Sequence, residues 1–206
     1  MVGFYNYTVW PTYAGLASSV VGMTLAAEGK PTLAVACLMI SGFFDSIDGM
    51  VARTKQDRTD REKRFGIQID SLCDVVCFGV FPAFLSYTLG VDGWFGRLVL
   101  AFYCGCGVIR LAYFNVLEEE HFGVAGRKRF YHGMPITFMS AIFPLAYLLR
   151  AWLSAGAFGA VLHGVLIGTA LLYIIDFPFP RTRTAVAVSL MLLDNIALAI
   201  CFWLGV

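Results

Sequence analysis

Charge is what this chain has least of. Asp, Glu, Lys and Arg make up 14% of its 206 residues, against about a quarter in ordinary soluble domains. A water-soluble globule is therefore excluded. Polar sequence long enough for a second, soluble domain is absent, as are internal repeats and low-complexity tracts. The start, MVGFYNYTVWPTY, lacks the charged n-region and small-residue cleavage site of a signal peptide. Cysteine occurs six times (37, 73, 77, 104, 106 and 201), always in apolar segments. Neither Cys73-x3-Cys77 nor Cys104-x-Cys106 has zinc or disulfide spacing, and all read as small buried thiols. The formal net charge of +1 says little by itself, and no nucleic-acid partner is expected.

What the chain does have is apolar length. Hydrophobic residues make up 59% of it, and the mean hydropathy is +0.74. A spanning helix needs about 20 mostly apolar residues. Candidates lie at about residues 11–27, 31–52, 66–89, 94–116, 134–149, 157–175 and 185–204, seven in all. Turn signals separate them: Glu28-Gly29-Lys30-Pro31, Gly90-Val91-Asp92-Gly93 and Asp176-Phe177-Pro178-Phe179-Pro180. The fifth is short and carries Pro135 and Pro144. The aromatic segment before residue 11 suits the membrane interface.

Cations orient the helices. With the 45–74 region inside, the inner face holds Arg53, Lys55, Arg58, Arg61, Lys63, Arg64, Arg127, Lys128, Arg129, Arg181 and Arg183, with Arg110 near an inner helix end. Lys30, Arg97 and Arg150 stay outside. This asymmetry follows the positive-inside rule. The expectation is an all-α, polytopic helical membrane protein, with one integral membrane catalytic domain over residues 1–206. Its N-terminus lies inside, and residues 45–74 lie at the cytoplasmic face. With seven helices the C-terminus lies outside.

Residues 45–74 hold four aspartates in two pairs. Asp45 and Asp48 are three apart, and Asp70 and Asp74 four apart, so each pair shares a helix face. A basic loop, residues 54–65, joins them. Asp45, Asp48, Gly49 and Ala52 form one stripe, and Gly66, Asp70 and Asp74 another. Acids and small residues on one face imply a ligand in close approach. Four carboxylates at membrane helix ends require cations, here one or two divalent metals on oxygen ligands. Arg53, on the adjoining edge, is a residue type that binds phosphate. Together these describe a diphosphate site. The alternatives are an ion-coupling aspartate of a transporter, a loop calcium site, or a merely solvated charged loop. None of them explains why acids, Gly, Ala and Arg share a stripe.

The pattern D-x2-D-G-x2-A-R … G-x3-D-x3-D stands here as Asp45, Asp48, Gly49, Ala52, Arg53, Gly66, Asp70 and Asp74. It resembles the signature of the CDP-alcohol phosphatidyltransferase family. The spacer between Arg53 and Gly66 is 12 residues, longer than the family's usual one, which implies a longer cytoplasmic loop. The resemblance implies a six-helix membrane core, often a homodimer, that moves a phosphatidyl group from a CDP-linked lipid to an alcohol and releases CMP. It implies that Asp45, Asp48 and Asp70 ligate Mg²⁺ or Mn²⁺. Asp74 would complete the metal shell and act as general base. Asp48, Gly49, Ala52, Arg53 and Gly66 would line the CDP site, with Arg53 on the diphosphate. The seventh stretch lies outside the six-helix pattern, so either the core is extended or the count is one too high.

Three stretches are similar to the family's serine-accepting branch: FGIQIDSLCDVVCFGVFPA at 65–83, IRLAYFN at 109–115 and YHGMPIT at 131–137. Tyr113 departs from the branch's usual Arg. The implied substrates are L-serine and CDP-diacylglycerol, or a CDP-linked ether lipid. Arg110 is the best partner for the serine carboxylate, or else an interface anchor. Asn115 would orient serine. His132 is an acceptor-site candidate or a plain loop histidine. Residues 127–129 hold a lipid phosphate or only satisfy the inside charge bias. Asp194, inside the seventh stretch, is expected to face protein. Rival readings are the same chemistry on glycerol 3-phosphate or inositol, and a cation-coupled transporter.

Overall fold

The computed structural model describes residues 3–120, 130–180 and 199–200. Its first two long helices, α1 (Trp10–Ala27) and α2 (Pro31–Thr54), form an antiparallel hairpin. Each has proline in its first turn, where the missing N–H is no loss. Gly29 makes the turn between them at φ +74°. The buried face of α1 reads Thr12, Gly15, Ser19, Gly22 and Ala26, in helical steps of three and four. Lipid tails are as apolar as leucine, so helices in a membrane associate by close packing and hydrogen bonds rather than by escaping water. Small residues permit that approach. Ser41 Oγ donates to the Gly15 carbonyl at 2.9 Å, and Ser19 and Ser41 hydroxyls meet at 2.8 Å.

Helix α3 (Asp60–Thr88) begins six residues before the predicted start at Gly66. The cause is a capping box: Glu62 N–H donates to Thr59 Oγ1 (3.2 Å) and Thr59 N–H to Glu62 Oε2 (2.8 Å), which satisfies two end donors reciprocally. The expected loop 54–65 is thus half helix. After Asp74 the helix widens into a π-helical stretch, Val75–Val80, then resumes at Phe81–Thr88. Such stretches loosen backbone pairing, which a membrane interior does not forgive. Helix α4 (Gly93–Glu120) answers this: Tyr103 Oη donates to the Phe78 carbonyl at 2.5 Å, and Cys104 Sγ reaches the Gly79 carbonyl at 3.6 Å.

A short strand, β1 (Phe130–His132), precedes a shorter apolar helix, α5 (Met139–Leu148), which contains Pro144. Helix α6 (Ala155–Ile174) follows, capped by Ser154. Strand β2 (Pro178–Pro180) pairs antiparallel with β1, Tyr131 opposite Phe179. The core between α2, α3, α4, α5 and α6 is filled by Leu38, Phe78, Phe81, Leu85, Tyr103, Phe143, Tyr147, Leu162 and Leu166, all buried. Outward-facing Ile40, Phe43, Leu98, Phe102 and Ile109 are exposed, as suits contact with acyl chains.

Among the described residues, four helices are long and apolar enough to cross a membrane: α2, α3, α4 and α6. The predicted stretch 11–27 is helix α1, which is not among those four. The predicted stretch 134–149 is the shorter helix α5 with its flanking turns. Stretch 185–204, with Asp194, lies outside the described residues, as do Arg127, Lys128 and Arg129, except that 199–200 are helical. The chain is an all-α integral membrane protein.

The α1–α2–α3 seam is the tightest place to test this packing. A Cβ at Gly22 would run into the Phe81 ring and come within 2.8 Å of Cys37 Cβ, whereas one at Gly105 meets nothing within 4 Å. Gly22→Ala should destabilise by about 1–3 kcal/mol through overpacking, and Gly105→Ala should be near neutral. Thermal unfolding in detergent measures both, and equal shifts would contradict the seam.

Candidate active site

The C-terminal half of α2 and the N-terminal half of α3 carry the two aspartate pairs, and the helical register turns both pairs toward one spot. All four carboxylates line one pocket, closed from the α1 side by Pro11, Thr12 and Gly15. One oxygen each from Asp45, Asp70 and Asp74 falls within 4.8 Å of the others. Asp48 stands beside this trio. Its carboxylate is in hydrogen-bonding reach of Asp70 and of the Gly49 N–H, and it accepts from Thr12 Oγ1 at 3.3 Å. Asp45 and Asp74 are paired in the same way.

Two carboxylates at hydrogen-bonding distance must hold a proton or a cation between them. The donor set decides which ions fit. These are hard oxygen ligands, without imidazole, matching a hard divalent cation. Asp70 Oδ1 adds a second sign: it is buried and has no hydrogen-bond partner, a condition that buried polar atoms rarely tolerate. The trio Asp45, Asp70 and Asp74 could therefore hold a metal, with Asp48 on its flank. Cys73 and Cys77 also line the pocket, one turn apart on α3, as uncharged walls.

Around this centre stand the signature's small residues. Gly49 and Ala52 are half-buried and Arg53 is exposed. A Cβ on Gly49 would lie 3.6 Å from Arg53 Nη1, and one on Gly66 only 2.5 Å from Arg58 Nη2. Of the residues assigned to the acceptor, Arg110 and Asn115 are held by partners outside this lining. Arg110 is 6% exposed and donates to the carbonyls of Met134 (3.1 Å) and Gly133 (3.5 Å), bracing the segment after β1. Asn115 faces α3, accepting from Ser71 Oγ at 2.7 Å and donating to Gln68 at 3.4 Å. Neither is among the described side chains lining the acid pocket. His132 sits in β1, with its side chain outside the described residues.

Thr12 and Arg58 escape a reading based on motifs. Thr12 is signalled weakly, as a polar residue in register with Gly15 and Ser19 on the small-residue face of α1. Arg58 carries no local signal at all, because the fold of the linker decides where it points.

Helices long and apolar enough to span a membrane, with four carboxylates gathered between them, define a class of membrane-embedded proteins with an acidic site. A profile of the CDP-alcohol phosphatidyltransferase family matches residues 9–205, and the chain belongs to that family. It is 32% identical over 185 residues to a CDP-diacylglycerol–serine O-phosphatidyltransferase of Mycobacterium tuberculosis, covering 85% of this chain and 62% of that protein. It is 31% identical over 144 residues to the protein of that name from Saccharomyces cerevisiae, covering 67% and 51%. An archaetidylserine synthase of Methanothermobacter thermautotrophicus is 33% identical over 165 residues, covering 80% and 65%. The chain thus spans less than two thirds of each of these relatives.

The metal assignment has a direct check. Titrated with Mn²⁺ as a probe, Asp45→Asn and Asp70→Asn should each weaken binding by about tenfold or more, since affinity follows ligand charge. Glu118→Gln, exposed at the end of α4, should leave it unchanged. Calorimetry reads both, and unaltered binding in the aspartate variants would remove the metal from this cluster.

Proposed function

We propose that this chain transfers a phosphatidyl group from CDP-diacylglycerol, or its ether-lipid counterpart, to the hydroxyl of L-serine, giving the serine phospholipid and CMP. The observation that carries the reading is the convergence of four aspartates in one pocket, with Asp70 Oδ1 buried and unpartnered. The serine acceptor is supported by the names of the relatives, which specify phosphatidylserine or archaetidylserine synthesis. The inner-face excess of Lys and Arg supports a cytoplasmic site. A homodimer belongs to the same reading.

Asp45, Asp48, Asp70 and Asp74 would hold Mg²⁺ or Mn²⁺. That ion, when bound, neutralises diphosphate oxygens and eases departure of CMP. Gly49 and Ala52 leave room for the nucleotide to lie against α2, Gly66 lines the same site from α3, and Arg53 pairs with the diphosphate. Asp74, buried at the pocket's inner wall, accepts the serine hydroxyl proton. The freed oxygen forms a bond to the lipid-linked phosphorus as the bond from that phosphorus to the CMP oxygen breaks. Arg110, Asn115 and His132 are assigned to the serine side.

The decisive assay is CMP release by purified protein with CDP-diacylglycerol and Mg²⁺ or Mn²⁺, with L-serine added or withheld. Serine-dependent release is expected. Release with glycerol 3-phosphate or inositol instead would replace the acceptor and keep the chemistry. Silence with every alcohol, joined to ion-driven uptake in vesicles, would make the cluster a transporter's. Asp74→Asn should lower the rate by about 10²–10⁴, the usual share of general base catalysis. Full activity in that variant would remove Asp74 as the base.

A further inference from the structure

The linker between α2 and α3 is a folded element with Glu62 at its centre. Glu62 Oε2 accepts from Thr59 N–H (2.8 Å) and Thr59 Oγ1 (3.0 Å). Its Oε1 accepts from Lys55 Nζ and from Asn6 Nδ2, both at 3.0 Å. The aromatic N-terminal segment closes over the same linker. Phe4 packs edge-on against Phe65 at 5.5 Å, and Tyr7 Oη meets Thr54 Oγ1 at 3.0 Å. A run of charges that a sequence shows as solvated is therefore held in one shape.

That shape folds Arg58 back across the start of α3. Its Nη2 donates to the Glu62 carbonyl at 3.1 Å and its Nη1 reaches the Ala52 carbonyl at 3.5 Å. The same Nη2 occupies the space that a Gly66 side chain would fill, 2.5 Å from its Cβ position. The remaining guanidinium nitrogen, Nε, is buried with no hydrogen-bond partner. Gly66 heads the stripe that continues to Asp70 and Asp74. On the other helix, Arg53 lies against Gly49. Each signature glycine thus has a guanidinium beside it, one from α2 and one from the linker. A half-buried guanidinium with an unmet Nε donor matches an oxyanion, because its planar fork pairs with two oxygens at once.

We propose that Arg58 is a second phosphate-binding arginine, holding the diphosphate of the CDP-linked donor from the Gly66 side while Arg53 holds it from the Gly49 side. This rests on the chain being a CDP-lipid transferase. The rival role is a strut that only ties the linker to the carbonyls of Ala52 and Glu62. The two differ in what the residue must supply. A phosphate ligand needs positive charge, whereas a strut needs N–H donors.

The test is calorimetric titration of the full-length protein in detergent with CDP, in the presence of Mn²⁺, for wild type, Arg58→Lys and Arg58→Gln. Glutamine keeps amide donors and loses the charge, while lysine keeps the charge and loses the fork. Arg58→Gln should weaken CDP binding by about tenfold or more, with Arg58→Lys retaining part of the affinity. CDP affinity in Arg58→Gln within about twofold of wild type, or a loss in Arg58→Lys as deep as in Arg58→Gln, overturns the assignment. A wild type that binds no CDP and releases no CMP sinks the transferase reading and Arg58 with it. A wild type that binds CDP beside an unaffected Arg58→Gln sinks the Arg58 assignment alone.

Discussion

Negative charge gathered in a poor dielectric is the constraint around which this molecule is arranged. Three carboxylates whose oxygens lie within 4.8 Å of one another repel by about 3–4 kcal/mol per pair at an effective dielectric of about 20. Over the trio that is on the order of the entire stability of a folded domain. Asp48 adds a fourth acid at its edge. Such a cluster persists only where protons or cations are shared among the acids, so the fold is poised to take up positive charge at that spot. Cation binding and structural integrity are therefore two aspects of one interaction.

The surrounding architecture serves that cluster in three ways. The small-residue face of α1 lets it lie close on α2, which brings Thr12 to Asp48 and closes the pocket from behind. The π-helical stretch after Asp74 changes the register of α3 immediately beyond the acids, and Tyr103 takes up a carbonyl there. The capped linker extends α3 past Gly66 and sets the Arg58 guanidinium beside that glycine. The first two are packing or hydrogen-bond devices of the kind that works where water is absent, while the third is a capping box on exposed backbone.

The acid stripes were legible because helical periodicity is local: Asp45, Asp48, Gly49 and Ala52 must share a face wherever a helix forms. The beginning of α3 was less so. The Thr59–Glu62 capping box lay inside a charged run that reads equally well as solvated loop, and only its reciprocal hydrogen bonds extend the helix to Asp60. Arg110 shows a different limit. Its place on an apolar helix followed from the hydropathy pattern, yet its burial against the Gly133 and Met134 carbonyls depends on a segment 23 and 24 residues further along.

The chain's membrane character, its helical class and the identity of its acid stripes were determined by the sequence alone, since composition and short-range spacing suffice for each. The tertiary structure decided which oxygens of the four aspartates meet, that Thr12 of α1 joins them, and that Arg58 fills the space left by Gly66. The physical reason is range. Periodicity sets the direction in which a side chain leaves its own helix, but meeting another helix depends on how closely small-residue faces pack and how a linker is pinned, and those are properties of several segments at once.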